Sequence, residues 1–196
     1  MRYSTAPLMS AVAEVLAALR RVLDGQGLSW FVFGAQAVAV RGAPRATQDI
    51  DVTVQVEPMR LRALVEALGS EGLRHRYPDT AEELIERGAV VPLSHASGME
   101  VDLVLAGSGL EAIALGRASR VAIDGVEVPV AQATDLVVMK VLAGRGKDLD
   151  DLRSLLAGGE VDLAEVRNIL GQLEEALGQS DLLPVLEEAV AAIDDD

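Results

Sequence analysis

The sequence predicts a mixed α/β fold in its first two thirds and an all-helical last third. Short apolar or alternating segments, which are typical of strands, occur between helical patterns up to about residue 130. From Thr134 onward the apolar spacing is helical throughout. A chain of 196 residues, half of them hydrophobic, can bury roughly 70% of its unfolded surface. We therefore expect one compact chain with an α/β core over residues 1–131 and a helical subdomain over 132–196.

The elements of the first half follow from apolar spacing and turn residues. Apolar residues recur at helical spacing before Asp24-Gly25, and the segment Trp30–Phe33 is short and wholly apolar. Residues 49–56 alternate as a half-buried strand does, and Pro58 suits the first turn of the helix that follows. The predicted elements are a helix over 8–23, a strand over 30–33, a brief helix from Gly34 to about Gly42, a strand over 49–56 and a helix from Pro58 to about Leu68.

Capping and turn signals mark the later elements. Thr80 with Glu83 and Ser108 with Glu111 each have the spacing of a capping box at a helix N-terminus. Asp124-Gly125 between two apolar runs is typical of a type I′ hairpin turn. The remaining predicted elements are helices after Thr80 and Ser108, strands over 89–94, 100–105, 121–123 and 126–130, and helices over 135–143, 148–156, 163–177 and 182–193.

Composition excludes several classes of protein. A net charge of −14 argues against broad, sequence-independent binding to nucleic acid, because that affinity depends on neutralising phosphates. The absence of cysteine excludes disulfides, thiolate zinc sites and a thiol nucleophile. The longest uncharged stretch, 25–40, is too short and too polar for a membrane span, and the N-terminal helix is too charged for a signal peptide. We expect a cytoplasmic protein with no membrane partner.

An acidic pair, Asp49-Ile50-Asp51, lies at the start of a predicted strand. Residues two apart in a strand project to the same face, so both carboxylates converge while Ile50 faces the core. Carboxylate oxygens are ligands of hard cations such as Mg²⁺. The alternative is a pair of solvated acids at a strand end, and the pair alone does not exclude it.

The residues around this pair resemble a known enzyme superfamily. Gly34-Ala35 follows an apolar strand, Asp49-Ile50-Asp51 comes about a dozen residues later, and a third acid stands in Glu100-Val101-Asp102-Leu103-Val104. This order resembles the nucleotidyltransferase fold superfamily, and within it most closely the AbiEii-like toxins of type IV toxin–antitoxin systems and their minimal-nucleotidyltransferase relatives. The resemblance implies a small mixed β-sheet flanked by helices, with a C-terminal helical bundle. It also implies transfer of a nucleoside monophosphate from an NTP to an acceptor hydroxyl.

The resemblance assigns a role to each residue of the first block. It makes Asp49, Asp51 and Asp102 the metal ligands, for two Mg²⁺ ions or for Mn²⁺ in their place. Gly34 would let the backbone approach a phosphate, whereas Ala35 departs from the usual Gly-Gly or Gly-Ser. The run Arg45-Ala46-Thr47 matches an Arg-x-Thr-x-Asp pattern of the toxin-like branch. It implies an Arg45 guanidinium directed at phosphate or acceptor and a Thr47 hydroxyl that steadies the metal-site loop.

A second block, from Lys140 to Leu152, resembles the Lys-x4-Arg and Lys-Asp-x-x-Asp-Leu signature of AbiEii-like proteins. By that resemblance Lys140 contacts the triphosphate, and Arg145 and Lys147 add positive charge. Asp148 would be an acidic site residue, acting as a base or orienting Lys140. The alternative is a helix N-terminus that favours acids through its free N–H groups, and we prefer it for Asp151 and its neighbour Asp150.

The resemblance also implies partners: NTP, an acceptor that is the 3′ end of tRNA or a protein hydroxyl, and an antitoxin protein. Two other hypotheses stay open. An acidic protein suits a cationic acceptor, which favours a small-molecule nucleotidyltransferase of the aminoglycoside-modifying type. Ala35 motivates the other, a non-catalytic nucleotide-binding or antitoxin-like module that retains the fold.

Overall fold

The computed structural model describes residues 9–43, 47–145, 148–158 and 160–194. Its centre is a seven-stranded mixed sheet with helices packed on it. The strands are β1 (Ser29–Phe33), β2 (Asp49–Gln55), β3 (Arg74–His75), β4 (Val90–Ser94), β5 (Glu100–Leu105), β6 (Ser119–Ile123) and β7 (Val126–Val130), in the spatial order β3-β4-β5-β2-β1-β7-β6. The helices are α1 (Ala11–Gly25), α2 (Gly34–Arg41), α3 (Pro58–Ser70), α4 (Ala81–Arg87), α5 (Gly109–Arg117), α6 (Ala133–Ala143), α7 (Asp148–Ala157), α8 (Leu163–Leu177) and α9 (Leu182–Asp194).

The central strands set the geometry of one sheet edge. β2 pairs antiparallel with β1 and parallel with β5, so the end of β1 lies beside the beginnings of β2 and β5. The register aligns Phe33 with Asp51, and Asp51 with Asp102. Ile50 is fully buried, as expected for a residue that projects to the face opposite Asp49 and Asp51. Three neighbouring strands therefore bring their polar residues together at one edge.

The helices cover the sheet with the apolar faces that their spacing predicts. Leu16, Leu19 and Leu23 of α1 are fully buried, and the Ser10 hydroxyl caps this helix by accepting a hydrogen bond from the Ala13 N–H at 3.0 Å. In the C-terminal third, α6 packs against α2, α7, α8 and α9. Within the part of the chain that the structure describes, no helix has both the length and the apolar character needed to cross a membrane.

Most predicted elements are present with shifted ends, and two local predictions have opposite outcomes. The capping box at Ser108 and Glu111 is confirmed by both of its hydrogen bonds. The one at Thr80 is wrong, because residues 78–80 form a 3-10 turn in which the Thr80 side chain makes no cap bond. Strand β3, which the sequence pattern missed, is only two residues long and shows no alternation.

The hairpin between β6 and β7 has the predicted positive backbone angles, with φ of 47° at Asp124 and 81° at Gly125. Gly125→Ala should lower the free energy of unfolding by about 1 kcal/mol, because a Cβ is strained at this φ. Gly116→Ala is the matched control. A Cβ there lies in open space on a helix, and it should leave stability unchanged or raise it by up to about 1 kcal/mol. Urea unfolding of both variants measures the difference, and equal effects would contradict the turn assignment.

Candidate active site

One cavity of about 260 Å³ collects most of the predicted site residues at the sheet edge where β1 ends. It lies between the starts of β2, β5 and α2 on one side and the C-terminal half of α6 on the other. Acidic residues line the first side, and basic residues lie on the second. The lining residues are Phe33, Gly34, Ala35, Asp49, Asp51, Asp102, Leu136, Met139, Lys140, Ala143 and Arg145.

Asp51 lies at the centre of the acidic side. Burial, together with the negative charges of Asp102 and Asp49, raises the pKa of its carboxyl to about 6, and the cations Lys140 and Arg145 offset only part of this. Asp49 is exposed at the mouth of the same strand, and its backbone N–H donates a hydrogen bond to the Thr47 hydroxyl at 3.2 Å. The cluster therefore holds more negative charge than its surroundings neutralise, which is the state that a cation relieves.

Gly34 lies directly against the Asp51 carboxylate. Its φ is +64°, and a Cβ built on it would lie 2.6 Å from the Asp51 Cγ and closer still to the Oδ2. Gly34 is also the first residue of α2, so the first residues of that helix, whose backbone N–H groups have no acceptor within the helix, line the cavity. A glycine is needed here both for the backbone angle and for the space that the carboxylate occupies.

Asp102 is held by a residue that the sequence analysis did not assign to the site. The Arg76 Nη2 donates to the Asp102 Oδ1 at 2.7 Å, and the Nη1 lies 2.9 Å from the Glu100 Oε2. Arg76 is the residue after β3, whose pairing with β4 brings it alongside β5. No motif marks this arginine, because its place depends on a two-residue strand that has no sequence pattern of its own.

The chemistry of the donor set fits a hard divalent cation, since carboxylate oxygens are what Mg²⁺ prefers. Within the described residues, however, no three acidic or histidine side chains are arranged as a complete metal site. Mg²⁺ commonly keeps several water ligands and takes others from substrate phosphates. Asp49 and Asp51 are therefore the residues that would hold the ion, while Asp102 is engaged by Arg76 in this arrangement.

The basic side of the cavity is built on ion pairs to two buried acids, Asp148 and Asp151. The Lys140 Nζ donates to the Asp148 Oδ1 at 2.9 Å and to the Asp151 Oδ2 at 2.6 Å. The Arg145 Nε donates to the Asp148 Oδ2 at 2.9 Å, so Asp148 anchors both cations. Burial alone would raise the pKa of Asp148, but the hydrogen bonds from Arg145 and Lys140 outweigh it and lower this pKa. Removing one partner from such a buried pair leaves an uncompensated charge.

Asp148 does not line the cavity, and its side chain is only 2% exposed. The position suits the predicted role of orienting Lys140, and the other predicted role, that of a base, would require contact with an acceptor. Asp151, for which we preferred a purely structural role, has the same kind of contact with Lys140 as Asp148. Sequence spacing alone does not show that two acids converge on one lysine across two helices.

Two of the predicted site residues, Arg45 and Lys147, lie outside the described residues. Two other arginines of the first half of the chain have partners outside the acidic pair. Arg41 donates to the Ala131 carbonyl at 3.1 Å and to the Ser119 hydroxyl at 2.6 Å, which ties α2 to the β6–β7 hairpin. Arg62 pairs with Glu82 on the surface.

Comparison with known proteins identifies the family of the chain. A family model described as a nucleotidyltransferase of unknown function (DUF6036) matches residues 9–181. The chain belongs to this family. The match confirms the superfamily that Gly34, Asp49, Asp51 and Asp102 predicted, and it makes the protein a nucleotidyltransferase. The comparison of this DUF6036 nucleotidyltransferase with curated proteins found no match.

Solved structures share its fold at low sequence identity. The solution structure of the antibiotic-resistance factor ANT(2″)-Ia has a TM-score of 0.56 and 17% identity, covering 85% of this chain and 91% of that chain. The crystal structure of ANT(2″)-Ia in complex with adenylyl-2″-tobramycin has a TM-score of 0.55 and 15% identity, covering 85% and 96%. An antigenic nucleotidyltransferase-like protein from Paracoccidioides brasiliensis has a TM-score of 0.51 and 18% identity, covering 93% and 95%. At these identities the likeness establishes the fold alone.

The charge cluster predicts that Asp51→Asn stabilises the metal-free protein. The folded-state pKa lies above the ordinary value of 3.8, so the charged carboxylate costs stability above about pH 6. After allowance for solvent screening, we expect a gain of about 1–2 kcal/mol at pH 7.5 in EDTA, and the gain should shrink as the pH falls through 6. Glu127→Gln, an exposed control, should change stability by less than about 0.5 kcal/mol. Urea unfolding at pH 7.5 and 5 measures both variants, and destabilisation by Asp51→Asn would contradict the electrostatic account.

The contact between Gly34 and Asp51 predicts a steric cost beyond backbone strain. Gly144→Ala is a matched control, because Gly144 has a similar φ of +59° but, among the described residues, nothing nearer to its Cβ than the Val141 carbonyl at 3.9 Å. It should cost about 1 kcal/mol from strain. Gly34→Ala should cost more by at least about 1 kcal/mol, since the carboxylate must move. Equal losses in unfolding experiments would show that Asp51 yields freely.

Proposed function

We propose that this nucleotidyltransferase moves a nucleoside monophosphate from an NTP to an acceptor hydroxyl in a Mg²⁺-dependent reaction. The observation that supports it is the cavity itself, in which Asp49, Asp51 and Asp102 face Lys140 and Arg145. Anionic phosphates need cationic side chains, and a cation held by carboxylates needs acidic ones. Both sets line the same space beside the first turn of α2.

The residues on each side divide the work of binding. The N–H groups at the start of α2, beginning at Gly34 and Ala35, face phosphate oxygens. Lys140 and Arg145 hold the β- and γ-phosphates from the α6 side, with Asp148 keeping both cations in place. Asp49 and Asp51 hold the divalent ion, which when bound neutralises charge on the α-phosphate and the departing pyrophosphate. Arg45 and Lys147 add positive charge, and Thr47 steadies the loop before β2.

The reaction exchanges a phosphoanhydride bond of the NTP for a phosphodiester bond to the acceptor. The acceptor oxygen forms a bond to the α-phosphorus, the bond from that phosphorus to the β-bridging oxygen breaks, and pyrophosphate leaves. The hydroxyl loses its proton to Asp102, the third carboxylate, which by family resemblance also serves as a ligand of the ion. In this proposal the helical segment 132–196 is a subdomain that completes the site, because it supplies Lys140, Arg145 and Asp148.

The block from Lys140 to Leu152 supports an acceptor of the AbiEii-like type. That assignment makes the chain the toxin of a toxin–antitoxin pair, acting in the cytoplasm on the 3′ end of tRNA or on a protein hydroxyl. An antitoxin protein would then be its partner. Arg76, which contacts Asp102, is engaged by acids and adds little free positive charge beside the cavity, so an RNA end would be held mainly through its terminal nucleotide rather than along a basic groove.

A cationic small molecule is the second candidate acceptor, and a specific feature favours it. Asp49 is exposed at the cavity mouth, beside Asp51, whose negative charge is only partly offset, so an amino-bearing acceptor would meet negative charge there. The related fold of ANT(2″)-Ia, solved with adenylyl-2″-tobramycin, agrees with such an acceptor. ATP is the first nucleotide to test for both candidates.

Four α-labelled NTPs, each incubated with Mg²⁺ and with total RNA, cell lysate or aminoglycosides, test the proposal. We expect label in one acceptor class and release of pyrophosphate. Asp49→Asn and Asp51→Asn should each lower the rate at least about a hundredfold, because either change replaces an anionic carboxylate ligand of the ion with a neutral amide. EDTA should abolish the reaction.

Glu127→Gln is the control for charge removal far from the cavity, and it should leave the rate unchanged. A folded sample that labels nothing with any NTP would contradict the enzyme reading. NTP binding by calorimetry in that case, without pyrophosphate release, would favour a non-catalytic nucleotide-binding module. Label in tRNA would favour the RNA acceptor, and label in an aminoglycoside would favour the small-molecule acceptor.

A further inference from the structure

We propose that Arg76 is an internal counter-ion that withholds Asp102 from the cation site in the free protein, so that the site gains its third carboxylate only when the Arg76–Asp102 pair opens. This inference rests on the proposed function, since it concerns the same divalent-ion site. It assigns a positioning role to a residue that no motif marks.

The geometry of the guanidinium supports the first step. Arg76 lies between two acids on one face of β5, with the Asp102 Oδ1 at 2.7 Å and the Glu100 Oε2 at 2.9 Å. Residues 100 and 102 are two apart in the strand, so they project to the same side, and one guanidinium reaches both. The backbone N–H of Arg76 also donates to the Pro92 carbonyl at 2.9 Å, which fixes the position of the arginine beside the sheet.

The second step concerns what this pairing does to the metal site. Asp102 is the register neighbour of Asp51, so the backbone alone brings the three carboxylates to one edge. Among the described residues they still do not form a complete metal site. One carboxylate oxygen of Asp102, Oδ1, is instead bonded to an arginine, which already carries a neutralising charge.

The pair is also able to open. Side-chain exposure is 42% at Asp102 and 20% at Arg76, and ion pairs near solvent are weak compared with buried ones. The Arg76 Nε is buried with no acceptor among the described residues, so this arrangement leaves one donor of the arginine unsatisfied. A divalent ion bound to Asp49 and Asp51 carries two positive charges, whereas the Arg76 guanidinium carries one, so the ion attracts the Asp102 carboxylate more strongly. Competition between the two cations for Asp102 follows.

The proposal can be tested without any turnover by measuring the binding of Mn²⁺ to the nucleotide-free protein. Electron paramagnetic resonance reports the concentration of the free ion. Arg76→Gln should raise the Mn²⁺ affinity about fivefold to tenfold, because Asp102 becomes available. Arg76→Lys keeps the charge but cannot span both acids, and it should give a smaller gain. It also serves as the second variant if Arg76→Gln folds poorly. Asp102→Asn alone should lower the affinity less than twofold, because Asp102 is already engaged.

The double variants separate competition for Asp102 from the loss of a positive charge nearby. In an Asp102→Asn background, either Arg76 substitution should change Mn²⁺ affinity less than twofold. Glu100→Gln is the matched control, since it frees part of Arg76 but leaves the Asp102 pair intact, and it should not raise the affinity. An unchanged affinity in both Arg76 variants, or the same gain with and without Asp102, would overturn the inference.

The failure of this inference is distinguishable from failure of the ion site. If Asp51→Asn abolishes Mn²⁺ binding while both Arg76 variants bind like the parent protein, the site stands and the counter-ion role is wrong. If Mn²⁺ binding survives Asp51→Asn, the proposed ion site itself is wrong, and the role of Arg76 is overturned with it.

Discussion

The parallel pairing of β2 with β5 is the constraint on which the site depends. It sets Asp51 beside Asp102, while the antiparallel pairing of β2 with β1 sets Asp51 beside Phe33 and hence next to Gly34. A slip of one residue in either pairing would send the carboxylates to the opposite face, where Ile50 lies in the core. The buried apolar residues of β2 therefore hold the register that the polar residues require. Stability and site geometry come from the same strand.

Several carboxylates close together at this sheet edge repel one another, which destabilises the fold. The surrounding residues offset this repulsion to different extents. Asp51 bears the cost directly, as its raised pKa shows. Asp102 is neutralised by Arg76, and on the opposite wall Asp148 and Asp151 neutralise Lys140. Sites that must bind charged substrates commonly store such unfavourable electrostatics, because a ligand of opposite charge then relieves it. The cavity thus combines one acid, Asp51, whose charge is only partly offset, with several ions that are paired.

Much of the fold and part of the site follow from local sequence. Period-two and helical spacing predicted six of the seven strands in the described part of the chain and the succession of helices, because those segments bury one face each. The Ser108 cap and the Asp124-Gly125 turn depend on neighbouring residues only, and both are present. The capping box predicted at Thr80 is wrong, because residues 78–80 form a 3-10 turn that begins at Pro78. Strand β3 was not predicted, because two residues are too few to show an alternating pattern.

The sequence by itself determined the residue types and their spacing: an acid pair on one strand face, a glycine after an apolar strand, and a lysine followed by acids. Tertiary structure alone decided which of these groups meet. It placed Arg76 on Asp102, put Asp148 and Asp151 beneath Lys140, and pressed Gly34 against the Asp51 carboxylate. The physical reason is that ion pairing and close packing depend on distances of a few ångströms between segments far apart in the chain. The spacing of residues along the chain does not predict those distances, because they depend on the order and register of the strands in the sheet.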